Sequence, residues 1–215
     1  GIYFAKSEIA RRDRCILVEG YLDVLSMHQL GITNVVASSG TSLTVEQVSL
    51  IRKFTENVTI MYDGDAAGIH AAERGIGLCL KGGLNVRVVL IPDGDDPDSF
   101  ARKHTLEEVK SFIEENERDF ISYRTDQLIG DAGSDPVRRS NLVNEIAGTL
   151  ALIPDQVKRA MYVQDVSTKF NIDESLVYSK INDAVRAMRE EERKEEMRRQ
   201  RALEAGLHTS AEGGM

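Results

Sequence analysis

The sequence predicts an α/β protein in which a mostly parallel, four-stranded sheet is flanked by helices and followed by an all-helical segment. Over the first hundred residues, short β-branched runs alternate with helical patterns. Helical connections between neighbouring strands are right-handed, and they leave the strands mostly parallel. After about residue 105 only helical patterns occur, so the second part is predicted to add helices without strands.

Four apolar runs are the strand candidates, and a helical pattern lies in each gap between them. The runs cover residues 15–18, 34–37, 58–62 and 86–91. The helical patterns cover residues 21–30, 44–54 and 66–80. The second begins with a capping box at residues 44–47, and the third ends before a glycine pair. In the first of these helices, one face is expected to hold Leu22, Leu25, Met27 and Leu30.

The segment after residue 104 contains several typical helix starts. A threonine followed three residues later by glutamate forms a capping box, and aspartate is a favoured N-cap. Such starts are predicted at Thr105, Asp135, Asp155 and Asp173. The chain is therefore expected to have three parts: residues 1–104, of which 1–12 end a preceding segment, a helical bundle at 105–185, and a charged segment at 186–215 that is exposed or disordered.

Composition excludes several classes of protein. The chain has 27 basic and 35 acidic residues and a formal charge of −8, the wrong sign for a protein that binds nucleic acid without help from cations. Cys15 and Cys79 are predicted to be reduced core thiols, and two cysteines are too few for a zinc site. No apolar run approaches the length of a membrane span, which predicts a cytoplasmic protein without a membrane partner.

Three acidic clusters each follow one of the predicted strands. They are residues 19–23, Asp63-Gly64-Asp65 and residues 93–98. In an open α/β sheet the carboxyl ends of parallel strands meet at one edge, so the clusters are expected to converge. Carboxylates gathered in this way repel each other, and divalent cations with a phosphate ligand relieve the repulsion. The sequence therefore predicts a magnesium site for phosphoryl-transfer chemistry.

Simpler explanations exist for each cluster alone. Asp-Gly is a common turn pair, and Asp65 is suited to cap the helix that follows. The third cluster is not an EF-hand calcium loop, because its sixth position is Asp98, where that loop requires glycine. Residues 38–42, which include Gly40 and Thr41, are suited either to phosphate binding or to an ordinary strand-to-helix turn.

Four motifs resemble the Toprim region of bacterial DnaG-type DNA primases. They are VEGYLDV at 18–24, ASSGTSLT at 37–44, YDGDAAG at 62–68 and DDPD at 95–98. The sequence ALIPDQVKR at 151–159 resembles the helical subdomain that closes the primase polymerase core, so the resemblance covers about residues 1–185. It implies the Rossmann-like Toprim fold in the first part of the chain.

The resemblance also implies roles for individual residues. Glu19, Asp63 and Asp65 match the catalytic and metal-binding acids of the family, and Asp96 and Asp98 match further metal ligands. Supporting contacts, or contacts with nucleotide or phosphate, are implied for Asp23, Gly40, Thr41 and Gly64. The implied cofactor is Mg²⁺ or Mn²⁺, with two or more ions. The implied reaction is attack of a 3′-hydroxyl on an α-phosphate with release of pyrophosphate.

The partners implied by the resemblance are a single-stranded DNA template, nucleoside triphosphates, an RNA–DNA hybrid and a replicative helicase. The helicase is expected to bind through a C-terminal domain that this sequence lacks. The zinc ribbon and the basic amino-terminal half of the polymerase core are missing as well, so zinc is expected only in a domain outside this chain. We expect the chain alone to bind metal weakly and to make no primers.

Three other functions are alternatives at this point. A Toprim nuclease or topoisomerase shares the acids but cuts nucleic acid, and a topoisomerase needs a nucleophilic tyrosine in a separate domain. A recombination mediator uses Toprim as a non-catalytic DNA-binding scaffold and carries a four-cysteine zinc module. A phosphatase of the haloacid dehalogenase type has its Asp-x-Asp motif after the first strand. The helical continuation after Thr105 favours a primase over the first two.

Overall fold

The computed structural model describes residues 1–38, 43–63, 66–92, 94–132 and 135–212, with the backbone alone described for 62–63, 66–73, 131–132 and 202–212. The strands are β1 Cys15–Val18, β2 Val35–Ala37, β3 Asn57–Asp63, β4 Asn85–Ile91 and β5 Arg118–Asp119. The helices are α1 Ile2–Arg12, α2 Tyr21–Leu30, α3 Val45–Arg52, α4 Ala66–Lys81, α5 Pro97–Lys103, α6 Leu106–Asn116, α7 Phe120–Ala132, α8 Pro136–Leu150, α9 Gln156–Phe170 and α10 Glu174–Glu212.

Within the described residues the strands form one sheet in the order β2-β1-β3-β4-β5. The first three pairs are parallel, and β5 runs antiparallel to β4. Helices lie between successive parallel strands, and helices dominate the chain after β5. The predicted α/β class, the mostly parallel sheet and the helical second part are therefore confirmed.

The fifth strand corrects the predicted count of four. Arg118 and Asp119 are polar and too few to produce a strand pattern in the sequence. Their position follows from Glu117, whose carboxylate pairs with Arg14 at 2.7 Å and with Arg87 at 2.9 Å. Arg14 directly precedes β1, and Arg87 lies in β4. Their pairing with Glu117 therefore holds residues 118–119 against the edge of the sheet.

The buried face of α2 also differs from the prediction. Leu22 and Leu25 are 60% and 40% exposed, whereas Val24 and Met27 are buried. Two polar residues, Asp23 and Ser26, share the buried face. Ser26 faces α5, where its hydroxyl donates to Asp98. The prediction of the buried face relied on the spacing of apolar residues, and that spacing cannot reveal a face that buries polar groups.

Two hydrophobic clusters cover the two faces of the sheet. On one face Ile16, Val18 and Met61 pack with residues of α2, α5 and α6. On the other face Leu17 and Ile60 belong to a cluster that continues through α3 and α4 into α7, α8, α9 and α10. The sheet and the C-terminal helices therefore share one continuous core.

The predicted helix caps are present. Thr44 and Thr105 accept backbone N–H groups from Gln47 and Glu108 at 3.3 and 3.4 Å. The aspartate caps accept N–H groups two residues ahead, at 2.9 Å for Asp135, 2.8 Å for Asp155 and 2.8 Å for Asp173. Because each cap satisfies N–H groups that the first turn leaves unpaired, the helix starts could be predicted from local sequence.

The charged segment is helical. Helix α10 continues to Glu212, and its residues 186–201 are exposed or half-buried, as expected for the charged run. Residues 210–212 lie in this helix and not in a disordered tail, and residues 213–215 lie outside the described residues. None of the described helices combines the length and apolar character needed to span a membrane.

The two cysteines give a simple test of the core. Cys15 and Cys79 are buried free thiols, and burial raises the pKa of each to about 12. At pH 8 only about one thiol in ten thousand is then a thiolate, the reactive form. We expect both to resist a thiol reagent in the native protein and both to react in denaturant. Rapid labelling of the native chain would contradict this packing.

Candidate functional site

The carboxyl ends of the four parallel strands meet at one edge of the sheet. Val18 pairs with Ala37, and Leu17 pairs with Ile60. The last pair between β3 and β4 joins Asp63 to Ile91. All three predicted acidic clusters therefore follow strands that end at this edge, and we call it the carboxyl edge.

Glu19 and the backbone of Asp63 are neighbours at the carboxyl edge. When the β1–β3 register is continued for two residues, Glu19 comes opposite Tyr62, one position before Asp63. Glu19 itself lies in the bend that follows β1, so it is close to the carboxyl end of β3. The Glu19 residue is exposed, so its carboxylate is accessible from solvent. Ser38 lies on the other side, where its backbone N–H donates to the Val18 carbonyl at 3.4 Å.

Gly20 and Asp23 shape the turn that follows Glu19. The Asp23 carboxylate is buried and accepts the backbone N–H of Gly20 at 2.8 Å. A Cβ atom at position 20 would approach the Asp23 Oδ2 atom to 3.1 Å, which is tighter than ordinary packing. The glycine therefore permits the close turn, and Asp23 positions the backbone beside Glu19.

The acids of the third cluster have protein partners. Asp96 caps α5 by accepting the Ser99 N–H at 2.6 Å. Asp98 accepts the Ser26 hydroxyl and forms an ion pair with Arg102 at 2.9 Å. These contacts tie α5 to α2 and to its own first turn, which makes both carboxylates part of the local structure.

Asp95 has a role that the sequence did not assign. Its carboxylate forms an ion pair with Lys103 and accepts the Ser99 hydroxyl at 2.7 Å. The ammonium group of Lys103, followed by the Ser99 hydroxyl, lowers the pKa of Asp95 below its ordinary value. Asp95 therefore stays ionised beside the loop that follows β4. The eight-residue spacing of Asp95 and Lys103 gives no local signal in sequence.

The structure describes only part of the predicted metal and phosphate site. Gly40, Thr41, Gly64 and Asp65 lie outside the described residues, and Asp63 is described by its backbone. Among the described side chains there is no group of three metal-binding residues. Glu19 and Asp63 would supply only oxygen ligands, and oxygen is the donor that Mg²⁺ and Mn²⁺ prefer. The oxygen donors at the carboxyl edge are therefore suited to bind Mg²⁺ or Mn²⁺.

Two family descriptions match the chain. Residues 16–101 match the Toprim-like family. Residues 121–175, which cover α7 to α9 and the start of α10, match the DnaB-helicase binding domain of primase. The second match differs from the expectation that helicase contacts lie in a domain missing from this sequence, because it falls inside the helical part.

Individual relatives agree with these matches. A DNA primase from Clostridium acetobutylicum is 36% identical over 85% of this chain and 30% of its own length. A DNA primase domain from Pseudomonas aeruginosa has a TM-score of 0.75 and 27% identity, covering 84% of this chain and 58% of that one. A DnaG primase catalytic domain bound to single-stranded DNA has a TM-score of 0.67 and 30% identity, covering 76% and 54%. The chain thus spans about a third of the curated relative's length.

Proposed function

We infer that this chain, which belongs to the bacterial DnaG-type DNA primase family, contributes the acidic half of an active site that joins ribonucleotides into RNA primers on a DNA template. The observation that carries the proposal is the placement of Glu19 beside the carboxyl end of β3, where Asp63 lies. The similarity to DNA primases supports the reaction, and this placement supports the residues that perform it.

The proposed cofactor is Mg²⁺ or Mn²⁺, with Glu19, Asp63 and Asp65 as the principal ligands. Such ions would stabilise the negative charge that develops when a 3′-hydroxyl attacks an α-phosphate and pyrophosphate leaves. The chain itself would orient the ligands. The Gly20 turn and the buried Asp23 hold the backbone next to Glu19, and this backbone positions the exposed Glu19 carboxylate.

Asp96 and Asp98 are proposed as additional metal ligands, and they differ in how many of their carboxylate oxygens already have protein partners. Asp96 uses Oδ1 for the helix cap, so its second oxygen has no described protein partner and is suited to a cation. Asp98 uses Oδ1 for Ser26 and Oδ2 for Arg102, so it must share an oxygen or release a partner to bind metal. We therefore expect Asp96 to contribute more to metal affinity than Asp98. Gly40, Thr41 and Gly64 remain proposed contacts to phosphate or nucleotide.

The proposed partners are a single-stranded DNA template, nucleoside triphosphates, the RNA–DNA hybrid product and the replicative helicase. Support for the template comes from the similar catalytic domain that binds single-stranded DNA. Support for the helicase comes from the match over residues 121–175, so we assign this contact to the helical part. With a formal charge of −8, the chain alone is proposed to be inactive in primer synthesis.

A chimaeric primase tests the proposal. We would replace the matching region of the Clostridium acetobutylicum enzyme with this chain and measure RNA synthesis on a single-stranded template. The parent chimaera is expected to make primers, and Glu19→Gln is expected to lower the rate by about 100-fold or more, the usual effect of removing a group that assists proton or metal chemistry.

Glu107→Gln is the matched control, because the Glu107 side chain is 80% exposed and lies on α6. Its rate should equal that of the parent. Equal rates for Glu19→Gln and the parent would remove Glu19 from the mechanism. A folded chimaera that cleaves the template instead of synthesising RNA would favour a Toprim nuclease.

A further inference from the structure

A basic cavity lies between the C-terminal ends of α3 and α4. Its volume is about 300 Å³, and it is lined by Val48, Ser49, Arg52, Lys53, Lys81 and Gly82. Three of these six residues carry a cationic side chain, and Ser49 carries a hydroxyl. This positive charge is local, because the chain as a whole has a formal charge of −8. We call it the basic pocket.

Two glycines determine the shape of the basic pocket. A Cβ atom on Gly82 would lie 2.4 Å from the Val48 Cγ1 atom, so α3 and the end of α4 approach closely only with glycine there. Gly83 has a φ of +79°, and a Cβ atom at that position would be 3.3 Å from the Arg52 guanidinium. The Arg52 guanidinium therefore lies close to the Gly83 backbone.

The cations of the pocket are weakly neutralised. Arg52 lies 3.9 Å from Glu56, and that carboxylate also pairs with Lys158 at 3.6 Å. Among the described residues, Lys53 has no ion-pair partner. Lys81 lies 3.5 Å from Glu192 of α10, with both side chains about half exposed or more. Exposed pairs at such distances contribute little, so the pocket keeps a positive potential.

The basic pocket is separate from the carboxyl edge. Helices α3 and α4 start near that edge and end at the opposite one, where β3 and β4 begin. Strand β3 has seven residues, which is about 23 Å of extended chain. A phosphate group bound in the pocket would therefore not touch Glu19 or Asp63.

We propose that the basic pocket is a second phosphate-binding site, in which the Ser49 hydroxyl and the cations Arg52, Lys53 and Lys81 bind the phosphate oxygens of a nucleic-acid strand or of a free polyphosphate. Arginine and lysine donate charge-assisted hydrogen bonds to phosphate, and the hydroxyl adds a neutral donor. Glu192 competes for Lys81, so α10 limits the affinity of the site.

A structural role for these cations is the alternative. Arg52 and Lys81 lie in the last turns of their helices, where positive charge is favourable to the helix dipole. Lys53, the C-cap residue of α3, could serve the same purpose. If this were their only role, replacing them would lower the melting temperature and leave anion binding unchanged.

Two probes in EDTA test the proposal, and EDTA removes any contribution from metal at the carboxyl edge. The first is a fluorescently labelled single-stranded oligodeoxythymidylate, titrated by anisotropy at several salt concentrations. The second is pyrophosphate, titrated by calorimetry. Replacing either Lys53 or Lys81 by Ala should weaken oligonucleotide binding about fivefold at 0.1 M salt, because one phosphate contact in a single strand changes the salt exponent by about 0.7.

Lys194→Ala is the matched control, because the Lys194 side chain is 60% exposed and does not line the pocket. It should leave binding unchanged, and Glu192→Gln should tighten it. Lysine-dependent binding of the oligonucleotide identifies a nucleic-acid strand as the ligand source, and lysine-dependent binding of pyrophosphate alone identifies a free polyphosphate. The proposal is overturned if neither probe binds, or if both lysine variants bind like the parent. Because no metal or primer synthesis is involved, this result is independent of the proposed catalytic function.

Discussion

Asp63→Asn is expected to reduce the affinity of the chain for Mn²⁺ by about 100-fold or more. Losing a single outer partner of a metal ligand already costs 10–100-fold, and this change removes the charge of a ligand itself. Asparagine has nearly the same shape, and the backbone of Asp63 pairs with Ile91 at the end of β3, so the strand should be retained. The measurement is a titration in which electron paramagnetic resonance reports free Mn²⁺.

Asp183→Asn is the control for this experiment. Asp183 lies in α10, pairs with Arg186 at 3.1 Å and has a 57% exposed side chain. Removing this charge lowers the general negative potential by the same amount without touching the carboxyl edge. If Asp63→Asn and Asp183→Asn had equal Mn²⁺ affinities, the metal would bind by general electrostatic attraction and not at Asp63.

Leu150→Ala is expected to lower the free energy of unfolding by about 3 kcal/mol, a typical cost for emptying a fully buried leucine site. Leu150 is 0% exposed and belongs to the core cluster that joins the sheet to the C-terminal helices. For a chain of this size the melting temperature should fall by roughly 6–12 °C. Because the core is continuous, thermal unfolding followed by circular dichroism should remain a single transition.

Leu176→Ala is the matched control, because Leu176 is 47% exposed and loses much less contact. Its melting temperature should lie close to that of the parent chain. Two separate transitions in Leu150→Ala, with only one of them shifted, would show that residues 105–185 fold as an independent unit. In that case the shared core would not couple the two parts.

The strand ends were predictable from sequence because their causes are local. The β-branched runs that form β1, β3 and β4 are buried on both faces, so they appear as nearly continuous apolar segments. A parallel sheet then requires that the acids after these runs share one edge. The helix caps at Thr105 and Asp135 were equally local, since each is a side chain bonded to a backbone two or three residues ahead.

Features that depend on distant partners were not predictable. Strand β5 exists because Glu117 pairs with arginines far away in sequence. The buried face of α2 is decided by its contact with α5, through Ser26 and Asp98, and not by hydrophobic period. The basic pocket likewise joins Lys53 and Lys81 from two helices whose sequences show no common motif. In each case tertiary contacts determine the outcome.

The most direct test of the metal site is anomalous scattering from crystals of this chain grown with Mn²⁺. We expect a peak at the carboxyl edge, about 2–2.5 Å from carboxylate oxygens of both Glu19 and Asp63. Crystals of Asp63→Asn grown in the same way should lack it. A peak bound elsewhere on the chain, with the carboxylates of Glu19 and Asp63 pointing apart and no ion between them, would contradict the proposed active site.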